Sequence, residues 1–360
     1  MGSRFHMPLA PWNQPFSAAG FAASITLTMT DGSNQMISLI ATVLNEGDSI
    51  HILLNSIGAQ TRQPDEIVIV DGGSADNTCE IIAGYRDRLP VRVLVEPGCN
   101  ISQGRNRAIE AAAGDIIAVT DAGVQLSATW LEAITEPLLL NPDLNGVAGF
   151  FLADPQTAFE VALGATTLPL RDEIKAETFL PSSRSVAFRR SAARESGGYP
   201  EWLDYCEDLV FDLRIRSMYG RFAFEPAALV YFRPRSSVGS FYRQYFLYAR
   251  GDGKADLWFK RHIIRYAAYW LLAPSIFLLG VLIESYWWGL YLPGAGYYLY
   301  QPFRRLPVIL RRWRGNSIVA WLYCIIMIPV LRVVGDIAKM HGYPGGRLWR
   351  WRRKPPDWRL

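Results

Sequence analysis

The sequence predicts an α/β domain built on a mostly parallel sheet flanked by helices, followed by C-terminal membrane helices. Three observations carry that prediction. Val/Ile-rich runs alternate with helical stretches of about a dozen residues between Ile37 and Thr120, which is the spacing of βαβ units. The runs are apolar almost throughout, as in strands covered on both faces. After Tyr266, charge disappears for long stretches, which helices of soluble domains seldom allow.

Residues 1–35 show no sustained periodicity and are rich in Ala, Ser, Thr and Pro. They read as a disordered leader. The mildly apolar stretch 18–29 lacks a secretory layout, because the nearest positive charge before it, Arg4, is too far away. Met36 fits a natural start. Residues 37–43 then form a strand, and 46–59 have helical spacing at Ile50, Leu53, Leu54 and Ile57. A second strand at 66–71 ends in Asp71, followed by Gly72, Gly73 and Ser74 and a helix through Ile81 and Ile82. Residues 91–95 are a third strand, 102–113 a helix, and 115–120 a fourth strand closed by Asp121. Ligands of such sheets sit beyond the carboxyl ends of the strands. Asn45 with Glu46, Asp71 and Asp121 all fall there.

The apolar third divides into an uncharged run at 266–283, a second at 285–300 broken by Pro293 and Gly294, and a third at 317–331. The first qualifies as a full span, which needs roughly 20 residues; the others suit re-entrant or interfacial segments. Residues 303–314 carry five arginines among Leu, Ile, Val and Trp, the composition of a basic interfacial helix. The tail mixes Trp349, Trp351 and Trp358 with Arg347, Arg350, Arg352, Arg353 and Lys354, suited to anionic headgroups. Four regions follow: a leader at 1–35, an α/β domain at 36–260, membrane-spanning or interfacial helices at 261–340, and a basic tail at 341–360. Truncation after residue 262 is expected to leave a soluble α/β domain. The positive-inside tendency puts the arginines and tail on the cytosolic side.

Composition narrows the function. A net charge of +4 does not argue for nucleic acid, and none is expected as a partner. The four cysteines have no CxxC spacing and the four histidines are scattered, which speaks against disulfide or zinc sites. The chemistry therefore rests on carboxylates and arginines. In ATVLNE (41–46) a strand gives way to a helix, whose free N–H groups favour a phosphate or a capping carboxylate; Asn45 as a plain N-cap fits equally. In IVDGGSADNT (69–78), Asp71 can accept hydrogen bonds from a base or ribose, while the glycines let backbone approach a ligand. ISQGRNRA (101–108) offers the guanidinium of Arg105, a fork suited to anions. VTDAGV (119–124) presents Asp121, and YCEDL (205–209) the pair Glu207 and Asp208.

Together, these motifs resemble family 2 glycosyltransferases of the GT-A fold. The resemblance covers residues 37–260. It implies a nucleotide-sugar donor, inversion at the anomeric carbon, a divalent cation (Mg²⁺ or Mn²⁺), and a lipid-linked or saccharide acceptor. By it, Thr42 and Glu46 contact base or ribose, Asp71 the base, Arg105 the base or pyrophosphate, and Asp121 ribose or metal. SSRSVAFRR (182–190), GGYP (197–200) and YCEDL resemble the acceptor side, with Glu207 beside Asp208 as general base. A helix N-terminus is expected to keep Asp208 ionised. Two departures stand out. Gly123 replaces the second acid of the family's Asp-x-Asp, which leaves the metal site open. Arg250 is followed by Gly251 where processive relatives have Arg-Trp; Arg250 remains a candidate diphosphate clamp, and a single sugar addition is favoured over processive synthesis. Membrane lipids are expected partners, with the catalytic domain on the cytoplasmic side of the plasma or inner membrane. Transfer onto polyprenyl phosphate is the alternative, and an idle nucleotide-sugar-binding scaffold is an alternative of another class.

Overall fold

The computed structural model describes residues 35–359, so the leader expected at 1–35 lies almost wholly outside the described residues. The chain runs β1 (Ile37–Val43), α1 (Ile50–Gly58), β2 (Glu66–Asp71), α2 (Thr78–Ala83), β3 (Val91–Val95), α3 (Ile101–Ala111) and β4 (Ile116–Val119). It continues through β5 (Val124–Leu126), α4 (Trp130–Leu140), β6 (Gly146–Ala153), α5 (Ala158–Thr167), β7 (Val186–Arg189), α6 (Arg190–Glu195), α7 (Glu207–Tyr219) and β8 (Ala223–Phe232). The last third holds α8 (Val238–Ala255), α9 (Phe259–Ala267), α10 (Ala273–Leu282), α11 (Tyr291–Arg312) and α12 (Ile318–Arg353).

The strands form one sheet ordered β3-β2-β1-β4-β7-β6-β8-β5. β1, β2, β3 and β4 are parallel; β7 runs antiparallel to β4 and β6, and β5 to β8. The apolar runs explain the layering. In β1, Ile37, Leu39, Ala41 and Val43 pack with Leu53 and Leu54 of α1 and Trp130 of α4. Ile40 points to the other face, among Ala108 of α3 and Phe211 of α7. Side chains alternate across a strand, so a strand covered by helices on both faces must be apolar throughout.

The sheet reverses direction of growth between β1 and β4, the switch point where ligands collect in open α/β sheets. Register aligns Val43 with Asp71 and Ile40 with Val119. The carboxyl ends of β1 and β4 therefore bring Glu46 and Asp121 to one cleft.

The C-terminal third is more closely joined to this domain than its composition suggests. Ala320, Cys324, Ile328 and Leu331 of α12 share a core with Val161 and Leu163 of α5, Phe241 of α8 and Leu306 of α11. Further on, α12 lies against α8 backbone to backbone. A side chain at Gly342 or Gly346 would run into the carbonyls of Phe246 and Arg250. No break falls at 340–341, where a boundary was expected, because α12 passes through it. The tail does not present all its Trp and Arg residues outward. Trp358 is buried, donating to the carbonyl of Ala255 (2.6 Å). Trp349 stacks on Trp202, and Arg347 pairs with Asp256. Arg305 of the expected interfacial helix is likewise held by Glu173 (2.8 Å). What remains exposed and apolar is a helical excursion through α9, α10 and the start of α11, including Trp270, Leu282, Trp288 and Tyr297, together with the outer face of early α12. By length and composition, Phe259–Leu282 and Ile318–Arg353 are candidate membrane spans.

Candidate active site

The site begins with α3. Asn100 caps it through a reciprocal pair with Gln103, and Ser102 and Asn106 bind the loop after α6. Ser102 donates to the carbonyl of Leu203 (3.0 Å), and Asn106 exchanges hydrogen bonds with the backbone of Tyr199 (2.8 and 2.9 Å). A side chain at Gly198, which sits at φ +66°, would meet Asn106. The GGYP turn therefore serves to lay this loop on α3 and deliver the start of α7 over Arg105.

Arg105 is 3% exposed. Its guanidinium joins Glu207 (2.6 Å) to Asp121 (2.9 Å), bringing the end of β4 and the start of α7 together. Burial opposes its charge, but Asp121 and Glu207 outweigh burial and hold its pKa above the usual value. Arg184 approaches Asp121 from the other side at 3.5 Å and lies over the ring of Phe232. The motif containing Arg184 was legible, but its partnership with Asp121 was not, because 62 intervening residues separate them in the chain.

Glu207 and Asp208 open α7 after Cys206, which adopts a left-handed conformation at φ 65°. The helix N-terminus is where it was expected, yet it does not dominate Asp208. Burial raises the pKa of Asp208, with Arg105 pulling the other way and Asp121 adding to the rise. Glu207 is raised too, by burial first and by Asp208 second. Desolvation of a charged carboxylate outweighs a helix dipole. Four residues on, Asp212 is buried with Oδ2 unpartnered, and its pKa is raised well above normal, chiefly by burial.

Two cavities flank these residues. The larger, about 820 Å³, is lined by Arg105, Asp121, Arg184, Glu207 and Asp208 and extends to α9 and α12. The smaller, about 360 Å³, is lined by Glu46, Asp121, Gly123, Arg184 and Tyr248. The structure brings together Arg105, Asp121, Glu207 and Asp208, with Glu46 across Asp121. It sets three expected residues apart. Asp71 is fully buried and closes its own turn, accepting from the backbone N–H of Gly73 and Ser74 (both 2.6 Å). Burial raises its pKa, but hydrogen bonds from Ser74, Cys79 and Gly73 more than offset that, leaving it lowered. Thr42 packs against Gly104 of α3. Arg250 pairs with Asp204, whose other oxygen binds Lys254 (2.6 Å).

Among the described residues, no group of three or more His, Cys, Asp or Glu side chains is arranged to hold a metal. A cation held by one or two carboxylates plus substrate phosphates needs no such group. Glu46 and Asp121 supply hard oxygens to one cavity. A Cβ at Gly123, which lies at φ +61°, would come within 3.7 Å of Glu46 Oε2. The carboxylate of Glu46 thus stands beside the space left by the missing second acid, and the donor chemistry fits Mg²⁺ or Mn²⁺.

Comparison with known proteins agrees with this geometry. Residues 38–195 match the family model described as Glycosyl transferase family 2. The chain is 34% identical over 114 residues to the uncharacterized glycosyltransferase YibD of Escherichia coli (strain K12), covering 31% of this chain and 33% of YibD. It is 22% identical over 234 residues to the poly-beta-1,6-N-acetyl-D-glucosamine synthase of Staphylococcus epidermidis, covering 62% of this chain and 56% of that one. Across the first four curated relatives, the chain spans 23–34% of their length. The fold resembles the mannosyltransferase PcManGT of Pyrobaculum calidifontis, solved with GDP-Man and Mn²⁺. The TM-score is 0.59 at 18% identity, covering 86% of this chain and 88% of that one.

Proposed function

We propose that this chain, which carries a glycosyl transferase family 2 domain over residues 38–195, is a membrane-associated inverting glycosyltransferase. It moves one sugar from a nucleoside-diphosphate sugar to a lipid-linked or saccharide acceptor. The observation that carries the reading is the Arg105 bridge, which sets Asp208 of α7 beside Asp121 at the switch point of the sheet.

In this reading the donor lies along the carboxyl ends of β1 and β4, with its diphosphate near Arg184. Glu46 and Asp121 would hold a divalent cation. Bound there, the cation supplies charge neutralisation to the departing diphosphate. PcManGT, with its GDP-Man and Mn²⁺, lends support to a nucleotide-sugar donor and a metal. Asp208 takes the proton from the acceptor hydroxyl as the oxygen attacks the anomeric carbon from the side opposite the leaving group. Its raised pKa makes it a stronger base than an ordinary carboxylate. A single displacement inverts the anomeric centre and needs no covalent nucleophile. Cys206, buried and with its thiol pKa raised mainly by burial, is not a competing one. The exposed apolar residues of α9, α10 and early α11 support membrane association. The catalytic domain is assigned to the cytosolic face.

Asp208→Asn tests the assignment in the full chain. Turnover should fall by roughly 10²–10⁴, while binding of nucleoside diphosphates by calorimetry stays near that of the parent. A loss below about tenfold would remove Asp208 as the base or point to a polyprenyl phosphate acceptor, already anionic and in no need of one.

A further inference from the structure

The larger cavity has a second end beyond the donor and base positions assigned above. Beyond Asp208 its wall is made by Arg261, His262 and Arg265 of α9 and Lys339 of α12. The charges there do not balance. His262 is engaged by Asp252 (3.1 Å), and Arg265 by Asp336 (2.8 Å). Lys339 reaches the same Asp336 only at 3.7 Å. Arg261 makes no ion pair with any described carboxylate and rests over Trp258. Three basic residues of this wall, Arg261, Arg265 and Lys339, thus stand against two carboxylates, Asp252 and Asp336, of which Asp252 is engaged by His262. Arg261 is exposed and unpaired, and Arg265 and Lys339 share one carboxylate, so this wall carries a net positive charge that an anion can complete.

Its location narrows the anion. Arg261 and Arg265 occupy the first two turns of the helix that continues into the exposed apolar stretch ending at Leu282. An amphiphile whose chain lies on that apolar surface would place its polar end at these cations. The cavity then leads from there to Asp208. We infer that the α9–α12 end of this cavity is a subsite for the phosphate or diphosphate of a lipid-borne acceptor. It holds the acceptor by its anion while the sugar hydroxyl reaches Asp208. This rests on the glycosyltransferase reading and names its acceptor class. Guanidinium and ammonium groups suit phosphate oxygens.

The test uses the full chain in detergent, with farnesyl diphosphate, inorganic pyrophosphate and uncharged farnesol as probes. Farnesyl diphosphate should bind, farnesol should not compete with it, and pyrophosphate should compete more weakly. Arg261→Gln combined with Lys339→Gln should weaken farnesyl diphosphate binding by about tenfold or more, since each removes a charged contact. UDP and GDP binding should stay within about twofold, because the donor end is separate. Arg261→Lys with Lys339 intact should restore most of the affinity. Unchanged farnesyl diphosphate binding in the double variant overturns the subsite, as does a parent chain that binds none. Equal loss of nucleotide and farnesyl diphosphate binding would overturn it too, assigning the cations to the donor. Pyrophosphate binding more tightly than farnesyl diphosphate would exclude the lipid source. A parent chain that binds farnesyl diphosphate but no nucleotide would leave the subsite standing and sink the glycosyltransferase reading instead.

Discussion

Asp208 and Asp212 lie one turn apart on α7, and both have carboxyl pKa values raised mainly by burial. The consequences differ. A base must be deprotonated to work, so a raised pKa at Asp208 moves the acidic limb of activity upward. The kcat/KM profile should fall off at a pH above the ordinary Asp value of about 3.9. A profile flat down to pH 4 would remove Asp208 from the base role. Asp212 acts on stability. An acid with a raised folded-state pKa binds more protons when folded than when unfolded. Its stabilising contribution is therefore complete below the unfolded pKa and is lost as pH rises through the folded one. The parent should thus melt at a lower temperature at pH 8 than at pH 5.5. Asp212→Asn should flatten that difference and raise the pH 8 melting temperature. A steeper dependence in the variant would contradict the burial argument.

At the scale of elements, Gly251 explains a departure from the family pattern. A Cβ there would lie 2.5 Å from the carbonyl of Tyr205 and 2.9 Å from Cys206 Sγ. The loop that delivers Glu207 and Asp208 thus rests directly on the backbone of α8, leaving no room for the Trp that processive relatives carry after their arginine. Gly251→Ala should push this loop off α8. Overpacking of this kind costs about 1–3 kcal/mol, and the displaced Asp208 should lose turnover more than donor affinity. Melting temperature and kcat measured together check this; a variant with lowered stability but unchanged kcat would mean that the loop does not depend on α8. The resemblance showed that Trp was absent, but only the contact between Tyr205 and α8 gives the reason.

For the whole molecule, the decisive feature is how α12 is used. An apolar C-terminal third suggested a detachable anchor, and truncation after residue 262 was expected to leave a soluble domain. The packing argues for the opposite outcome. The cut would remove α12 from Phe241, Val161 and Leu163 and withdraw Trp358 from beside Leu203 and Val210. Each large apolar side chain so exposed forfeits about 1.5–3 kcal/mol of burial, and the total approaches the 5–15 kcal/mol that holds a typical protein folded. The fragment should aggregate or melt far below the full chain in detergent, as thermal unfolding and size-exclusion chromatography would record. A monodisperse fragment of parental stability would restore the anchor view. Exposed apolar residues on α9, α10 and α11 remain to meet lipid, so the full chain should float with vesicles and be released by detergent.

The linear sequence determined the α/β sheet, the order of its first four strands along the chain and the carboxylates at their ends. Those signals are local: apolar runs, turn glycines and an acid where a strand stops. It also marked Arg105, Asp121, Glu207 and Asp208 individually. That one guanidinium would join Asp121 to Glu207, that Glu46 would stand beside Gly123 and that Asp71 would turn inward to its own loop were decided by the tertiary structure. So were the pairing of Arg184 with Asp121 and the cationic cluster between α9 and α12. Each depends on contacts between residues far apart in the chain, and such contacts leave no periodicity to read. The apolar third shows the same division. Hydropathy registers that a side chain avoids water, whereas only packing decides whether protein or lipid takes the water's place.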